Sequence, residues 1–232
     1  MMETGGIEYS DDFVSAEIDT SFWNLKRIRE DRFEMVHDVD GTAGPALKVT
    51  VHQGDLPEIG GDGNGTERSE LSERKEVILP AGTDVWYAFS VYIPKDFVVI
   101  NNRLLFASWK QVGNRRPALA LRYKNGNVIF IIQSKEERLT FKAPPIELGS
   151  WQRFMVHYRI AANHQGRTEA FLNGTSFASF EGFIGHPDDA VEAYFKLGAY
   201  RDTVPHTDTL YFAHFRRGST RAFCEKHVDV FS

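Results

Sequence analysis

The chain has 232 residues, of which 42% are hydrophobic, 25% charged and 13% aromatic, and its formal net charge is −5. The net negative charge gives no electrostatic support to a nucleic-acid partner. The single cysteine, Cys224, excludes an intrachain disulfide. No apolar run is long enough to span a membrane, and the first residues lack the basic segment and apolar stretch of a secretory signal.

Short segments of alternating apolar and polar residues follow one another along the chain and predict β-strands. In chain order they are ALKVTVHQ, VWYAFSVYIP, RLLFASWKQV, ALALRYKNGNVIFIIQ, WQRFMVHYRI, TEAFLNGTSFASFEG, EAYFKLGAY and TLYFAHFRR. Asn125-Gly126 and Asn173-Gly174 each interrupt a pair of such segments, and Asn-Gly is a strong hairpin signal. The glycine-rich stretch 60–65 predicts a surface loop and no domain boundary. We therefore predict one all-β domain over residues 1–232, a concanavalin-like jelly-roll sandwich of two antiparallel sheets.

Period-two alternation divides EAYFKLGAY into two faces. One face is wholly apolar and is predicted to pack between the sheets: Ala193, Phe195, Leu197 and Ala199. The other carries Glu192, Tyr194, Lys196, Gly198 and Tyr200, and Gly198 would leave room for a ligand beside Tyr200. Other strands sort in the same way, with Ser108 and Lys110 placed on one face together with Phe106. The cationic and phenolic side chains could then line one concave sheet and suit a polyanion: Arg68, Lys110, Arg122, Lys196 and Tyr200.

Two motifs carry a family resemblance. RSEL at 68–71 and YFKLGAY at 194–200 resemble a pair of strands in jelly-roll polysaccharide lyases of the alginate-lyase, glucuronan-lyase and heparin-lyase-I-like types. WYAFSVYIPKDF and the segment GSWQRFMVHYRI followed by EAFLNGT are similar to further strands of that group. The resemblance covers roughly 68–217. It implies a lyase that acts on a uronate-containing anionic polysaccharide, and a secreted or periplasmic location.

The sequence departs from this family at two places. Between the two motifs the family carries a Gln-x-His strand, whereas ASWKQ puts Ser108 in the place of the Gln and Lys110 in the place of the His. Near the C-terminus, Ala213 and His214 stand where many relatives have an Asp that helps to hold a structural calcium. Asp62 and Asn64, in the glycine-rich loop, are the remaining calcium candidates. We expect no metal or cofactor to be required for the chemistry.

The resemblance implies β-elimination, which sets three tasks. The carboxylate beside C5 must be neutralised, a base must remove the C5 proton, and an acid must protonate the leaving O4. Arg68 suits the first task, because a guanidinium meets a carboxylate in two hydrogen bonds, and Lys196 adds positive charge. Tyr200 is the candidate for proton transfer: a phenol titrates near pKa ~10, and neighbouring cations such as Arg68, Lys196 and Arg201 would favour its phenolate.

Further residues are assigned to the site. Lys110 could act as a base, or add positive charge for substrate carboxylates. Glu70 would orient Arg68 or Lys196, and a loop histidine, best His206, could replace the missing base. The substrate-binding set is Glu70, Tyr194, Ser108, Arg122, Arg201 and His206.

Three functions remain open at this stage. The first is a lyase, with glucuronate polymers favoured before mannuronate-rich alginate, because these sugars allow syn elimination by one phenol. The second is a non-catalytic sugar-binding jelly roll, which the missing Gln-x-His favours. The third is a glycoside hydrolase, which needs two carboxylates on one strand, and EIDTSF at 17–22 does not supply them. We expect a monomer with no nucleic-acid or membrane partner.

Overall fold

The computed structural model describes residues 7–24, 29–56, 65–98, 103–113 and 115–226. These ranges contain short 3-10 helices at Glu30–Arg32 and Lys75–Val77 and one α-helix, α1, at Arg221–Glu225. The strands are β1 Tyr9–Asp11, β2 Trp23–Asn24, β3 Phe33–Val39, β4 Thr42–Val51, β5 Thr66–Glu73, β6 Asp84–Tyr92, β7 Leu104–Gln111, β8 Leu119–Lys124, β9 Asn127–Ser134, β10 Glu137–Lys142, β11 Trp151–Arg159, β12 Gln165–Leu172, β13 Thr175–Phe183, β14 Ala193–Asp202 and β15 Asp208–Gly218.

The strands form two sheets. Sheet A has the order β13-β12-β11-β6-β15-β4-β3, with β1 also paired to β15, and sheet B has the order β10-β9-β8-β7-β14-β5-β2. Every pair in both orders is antiparallel. The prediction of an all-β jelly-roll sandwich of two antiparallel sheets is therefore confirmed.

The main core lies between the sheets and is rich in aromatic rings. Phe89 and Phe154 of sheet A meet Phe106 and Phe195 of sheet B, with ring centroids 5.3 to 6.3 Å apart. Such aromatic pairs add to the gain from burial of apolar area. Each of these residues is at most 1% exposed. This packing fixes the position of sheet B relative to sheet A, so the outer face of sheet B lies on a rigid core.

The hairpin predictions are confirmed. Asn125 and Gly126 have φ of 52° and 76°, and Asn173 and Gly174 have φ of 48° and 80°. Positive φ at both central residues belongs to the type I′ turn, which matches the twist of the flanking strands. These turns join β8 to β9 and β12 to β13.

One face assignment is wrong. Phe106 does not share a face with Ser108 and Lys110, because it packs in the core. The register of β7 against β8 shifts between Leu105 and Ala107. Such a bulge adds a residue to one strand and reverses the alternation beyond it, which a strict period of two does not foresee.

Candidate active site

Strand β14 presents two unlike faces, as its alternation predicts. Ala193, Phe195, Leu197 and Ala199 belong to the core between the sheets, whereas Tyr194, Lys196 and Tyr200 are only partly buried on the outer face of sheet B. That outer face, the side of sheet B turned away from sheet A, is called the site face below.

Gly198 is required by the backbone of the sheet. Its φ is +142°, and a Cβ at this position would collide with the carbonyl oxygen of Ser69 and lie 2.8 Å from Cα of Glu70. Only glycine tolerates both this φ and this approach of a neighbouring strand. The register between β14 and β7 also shifts here, between Leu197 and Tyr200. Gly198 therefore helps to position Tyr200 relative to the residues of β7.

Strand β5 brings the RSEL motif beside β14. Arg68 is the direct cross-strand neighbour of Tyr200, and Glu70 that of Gly198. The guanidinium carbon of Arg68 lies 4.7 Å from the centre of the Tyr200 ring. Nη2 of Arg68 donates to Oγ1 of Thr66 at 3.2 Å, while its buried Nε has no hydrogen-bond partner among the described residues. No carboxylate of the described residues forms an ion pair with this guanidinium.

Lys196 is held by Glu70. Its Nζ donates to Oε2 of Glu70 at 2.6 Å, and the two side chains are only 18% and 8% exposed. The short, partly buried ion pair fixes the ammonium group on the site face. Glu70 thus orients Lys196, which is one of the two roles expected of it.

Arg103 is a residue that the sequence analysis missed. Its guanidinium carbon also lies 4.7 Å from the centre of the Tyr200 ring, and its Nη2 is 2.7 Å from Oδ1 of Asp202. The backbone N–H of Arg103 donates to Asp202 at 2.8 Å as well. Arg103 immediately precedes β7, and its contact with Tyr200 depends on the pairing of β7 with β14. No local sequence motif predicts this contact.

Strand β7 places Ser108 and Lys110 beside β14. Ser108 is the cross-strand neighbour of Lys196, and Lys110 that of Tyr194. Nζ of Lys110 donates to the carbonyl oxygens of Gly113 and Arg115 at 2.8 and 2.5 Å. Burial, and then the charge of Lys196, lowers the pKa of Lys110, whereas the two carbonyl acceptors favour its charged form.

The loop that Lys110 holds is fastened to a second loop. Arg115 pairs with Asp188 at 2.9 Å, and the backbone N–H of His186 donates to Oε1 of Gln111 at 2.9 Å. Lys110 therefore anchors the chain that follows β7, at one border of the site face.

Arg201 is not on the site face, which corrects the expectation that it neighbours Tyr200 there. Its side chain is 1% exposed, and it pairs with Glu67 at 2.8 Å and with Asp208 at 2.6 Å. The next residue after an outward Tyr200 points inward, and the two carboxylates satisfy the buried charge. His206 joins the same cluster, because its Nε2 is 3.2 Å from Asp208 and its carbonyl oxygen accepts from Arg201 at 2.7 Å.

Arg122 and an apolar floor complete the site face. Arg122 of β8 is the cross-strand neighbour of Leu105, which in turn neighbours Tyr200. Leu105, Ala120 and Ile131 form a small cluster on this face, with Ile129 and Tyr200 packed against it. Leu105, Ala120 and Ile131 are only 7%, 3% and 8% exposed, so this part of the outer face is recessed beneath longer side chains.

Side chains that could bind a metal ion are dispersed in the described part of the chain. There, no three His, Cys, Asp or Glu side chains are grouped as a metal site would require. Ala213 is buried and apolar, and Nδ1 of His214 faces the hydroxyl of Ser90 at 3.5 Å, so this position does not resemble the oxygen ligands that calcium prefers. Asp62 and Asn64 lie outside the described residues. Within those residues, too, no helix has the length and apolarity to cross a membrane.

Fold and site together define a class: an antiparallel β-sandwich with a cationic and phenolic face, suited to an anionic carbohydrate. A polysaccharide lyase family model matches residues 14–216, and the chain belongs to this family. It is accordingly an enzyme, a polysaccharide lyase.

Solved structures of lyases share the fold. An endo-beta-1,4-glucuronan lyase from the fungus Trichoderma reesei is 15% identical with a TM-score of 0.71, and the match covers 93% of this chain and 97% of that one. The alginate lyase Aly36B is 14% identical with a TM-score of 0.63, covering 93% and 98%. The alginate lyase A1-II', a member of polysaccharide lyase family-7, is 14% identical with a TM-score of 0.58, covering 80% and 84%. No curated protein sequence matches the chain significantly.

Proposed function

We propose that this lyase cleaves a glucuronate- or mannuronate-rich polysaccharide by syn β-elimination, with Tyr200 as both base and acid. The observation that carries the proposal is the position of Tyr200 between β5 and β7, with the guanidinium carbons of Arg68 and Arg103 each 4.7 Å from its ring centre. Two cations at this distance favour a phenolate over a neutral phenol when the hydroxyl gives up its proton.

Arg68 takes the substrate carboxylate. Its guanidinium lies beside the Tyr200 ring and forms no ion pair with a described carboxylate, so its N–H groups that lack a partner can donate to the substrate carboxylate. Neutralising that charge makes the C5 proton removable, because the negative charge formed at C5 spreads onto the carboxyl group. Lys196, oriented by Glu70, adds a second positive charge beside it.

Tyr200 then moves two protons. As phenolate it removes the proton from C5; the C4–O4 bond breaks, a double bond forms between C4 and C5, and the phenol returns the proton to the leaving O4. This sequence needs no water and no second base, provided that the C5 proton and O4 lie on the same side of the ring.

Lys110 serves as an anchor and a positive charge. Its ammonium group donates to two backbone carbonyl oxygens, and a lysine that removed a proton would have to give up its own charge and part of these bonds. Lys110, at the position of the family's histidine, thus anchors the loop at one border of the site face.

The substrate class rests on chemistry and on the neighbours together. Solved neighbours include a glucuronan lyase and alginate lyases, and D-glucuronate and D-mannuronate both place the C5 proton and O4 for syn elimination. We further propose that the chain acts as a single domain and as a monomer, without nucleic-acid or membrane partners. Because polysaccharides of this kind are found outside the cytoplasm, we propose secretion or a periplasmic location.

The test is a panel of polyglucuronate, polymannuronate, polyguluronate and heparin, followed by the ultraviolet absorbance of the unsaturated uronate product. Absorbance growth on polyglucuronate or polymannuronate supports the proposal. Binding of these polymers without any product would instead indicate the non-catalytic sugar-binding protein that the missing histidine first suggested.

A further inference from the structure

Three arginines on the β8–β10 side of sheet B lack a carboxylate partner among the described residues. Arg122 extends from β8 and has a buried Nε without a hydrogen-bond partner in that part of the chain. Arg138 extends from β10, beside Gln133 of β9, and Arg116 lies in the loop before β8. Within the described ranges, neither of these two side chains forms an ion pair.

The fully buried arginines among the described residues are paired with carboxylates. Arg201 has Glu67 and Asp208, and Arg217 has Glu73 at 3.0 Å. Arg122, in contrast, is partly buried and forms no ion pair with a described residue, whereas Arg116 and Arg138 are exposed. After burial, the charges of Arg116, Arg122 and Arg103 lower the pKa of Arg138. The charge of Asp202 offsets part of the repulsion that Arg103 exerts on Arg122, but Asp202 forms its ion pair with Arg103. The unpaired guanidinium of Arg122 is therefore the group to which an anion could bind.

The cluster has a defined place relative to Tyr200. Tyr200, Leu105 and Arg122 are successive cross-strand neighbours on β14, β7 and β8. Strands lie about 4.8 Å apart, which separates Tyr200 from Arg122 by roughly 10 Å, about the length of two sugar residues. Leu105 lies between Tyr200 and Arg122, and Ala120 and Ile131 extend the same apolar cluster. These apolar side chains can contact the nonpolar faces of sugar rings.

We propose that Arg122, supported by Arg116 and Arg138, binds the carboxylate of a second uronate, about two residues along the polymer from the sugar at Tyr200. The proposal rests on the function proposed above, because it takes Tyr200 as the point of cleavage. Its consequence is a dependence on chain length: an oligomer gains affinity once it is long enough for a second carboxylate to reach Arg122.

The test uses oligoglucuronates from dimer to octamer and isothermal titration calorimetry. The parent protein is Tyr200→Phe, which keeps the substrate intact, and the comparison is Tyr200→Phe with Arg122→Gln. We expect Arg122→Gln to weaken binding of the long oligomers roughly tenfold, the usual value of a charge-assisted hydrogen bond. The shortest oligomers should be unaffected, and Arg122→Lys should keep part of the gain. Arg167→Gln, which removes the same charge from β12 in sheet A, should change nothing.

Binding within twofold of the parent at every length, or an equal loss at every length, would overturn the proposal. So would a parent that binds no oligomer at all. Measuring polymer cleavage as well as oligomer binding distinguishes failure of the second carboxylate site from failure of the function proposed above. If the enzyme with Tyr200 intact cleaves polyglucuronate while Arg122→Gln leaves binding unchanged, only the second carboxylate site fails. If no polymer is cleaved but Arg122→Gln removes the gain with length, only the proposed reaction fails.

Discussion

Arg68 and Tyr200 face each other across the β5–β14 pair, with the guanidinium carbon 4.7 Å from the ring centre. One residue comes from the RSEL motif and the other from the YFKLGAY motif, 132 positions later in the chain. The antiparallel register joins the group that would neutralise the substrate carboxylate to the group that would move the protons. Arg103, at the same distance from the ring, adds a second cation from the segment just before β7, on the other side of β14.

Replacing Tyr200 by Phe tests the proton transfer. Tyr200→Phe removes only a hydroxyl group, so we expect kcat to fall roughly a thousandfold or more while polymer binding and thermal stability stay close to the native values. Steady-state kinetics, calorimetry and thermal unfolding measure the three quantities. Tyr211→Phe, which removes a phenol hydroxyl from β15 in sheet A, is the matched control and should keep most of the activity. A fully active Tyr200→Phe enzyme would show that another group transfers the proton.

Replacing Lys110 distinguishes an anchor from a base. Lys110→Gln should raise KM and lower kcat/KM about tenfold, because two charge-assisted hydrogen bonds to the loop are lost, while the pH–rate profile keeps its shape. Lys124→Gln, a charge change on the neighbouring strand β8, is the control. A fall in kcat by about a thousandfold, with the loss of one ionisation from the profile, would identify Lys110 as the base instead.

Much of the site could be predicted from alternation alone. Because β14 strictly alternates apolar and polar residues, its sequence places Lys196 and Tyr200 on one outer face, and the same reasoning places Arg68 on the neighbouring strand. Ser108 and Lys110 were likewise predicted on the correct face of β7. These assignments depend only on the two-residue period of a strand, which can be recognised from the alternation of neighbouring residues in the sequence.

The remaining features depend on long-range pairing. Arg201 was expected near the substrate because it is charged, but its burial is made possible by Glu67 and Asp208, whose proximity no local pattern reveals. Phe106 lies in the core because of the bulge in β7. Arg103 reaches Tyr200 only through the β7–β14 register, so its contact could not be inferred from its neighbours in sequence.

Gly198 gives a prediction about stability. In Gly198→Ala, the Cβ would meet the backbone of Ser69 and Glu70 at a φ of +142°, so we expect a loss of about 3 kcal/mol or more in the free energy of unfolding. Gly126→Ala is the control, since Gly126 also has positive φ but nothing lies within 4 Å of its Cβ position, and it should lose only about 1 to 2 kcal/mol. Chemical denaturation measures both. Equal losses would mean that the approach of β5 does not constrain this position.

Cys224 gives a prediction about pH. It lies in α1 with 0% of its surface exposed and packs against β6, and burial raises the pKa of the thiol to about 12 from 9.0. An unfolded chain therefore loses this proton between pH 9 and 12 while the folded chain keeps it, so stability should fall as pH rises through that window. Alkylation of the folded protein at about pH 8, below the ordinary thiol pKa, should also be very slow. In Cys224→Ala the fall with pH should be shallower; an unchanged slope and rapid alkylation would both contradict a buried, protonated thiol.

The stereochemistry of elimination gives the last prediction. In D-glucuronate and D-mannuronate the C5 proton and O4 leave from the same side of the ring, so Tyr200 can serve as base and then as acid. In L-guluronate and L-iduronate the C5 configuration is inverted, and a second group on the opposite side must act as the base. Lys110 stands in the place of the family's histidine, and its ammonium group is bound to the carbonyl oxygens of Gly113 and Arg115, so it does not fill that role.

We therefore expect the highest kcat/KM on polyglucuronate, a lower value on polymannuronate, and poor cleavage of polyguluronate and iduronate-rich heparin. Initial rates of unsaturated product on the four polymers at equal uronate concentration measure this order. The Lys110→Gln enzyme is the informative control, because it should keep the same ranking if Lys110 is an anchor. A clear preference for polyguluronate that disappears in Lys110→Gln would contradict syn elimination, since it would require Lys110 to take the proton from the face opposite Tyr200.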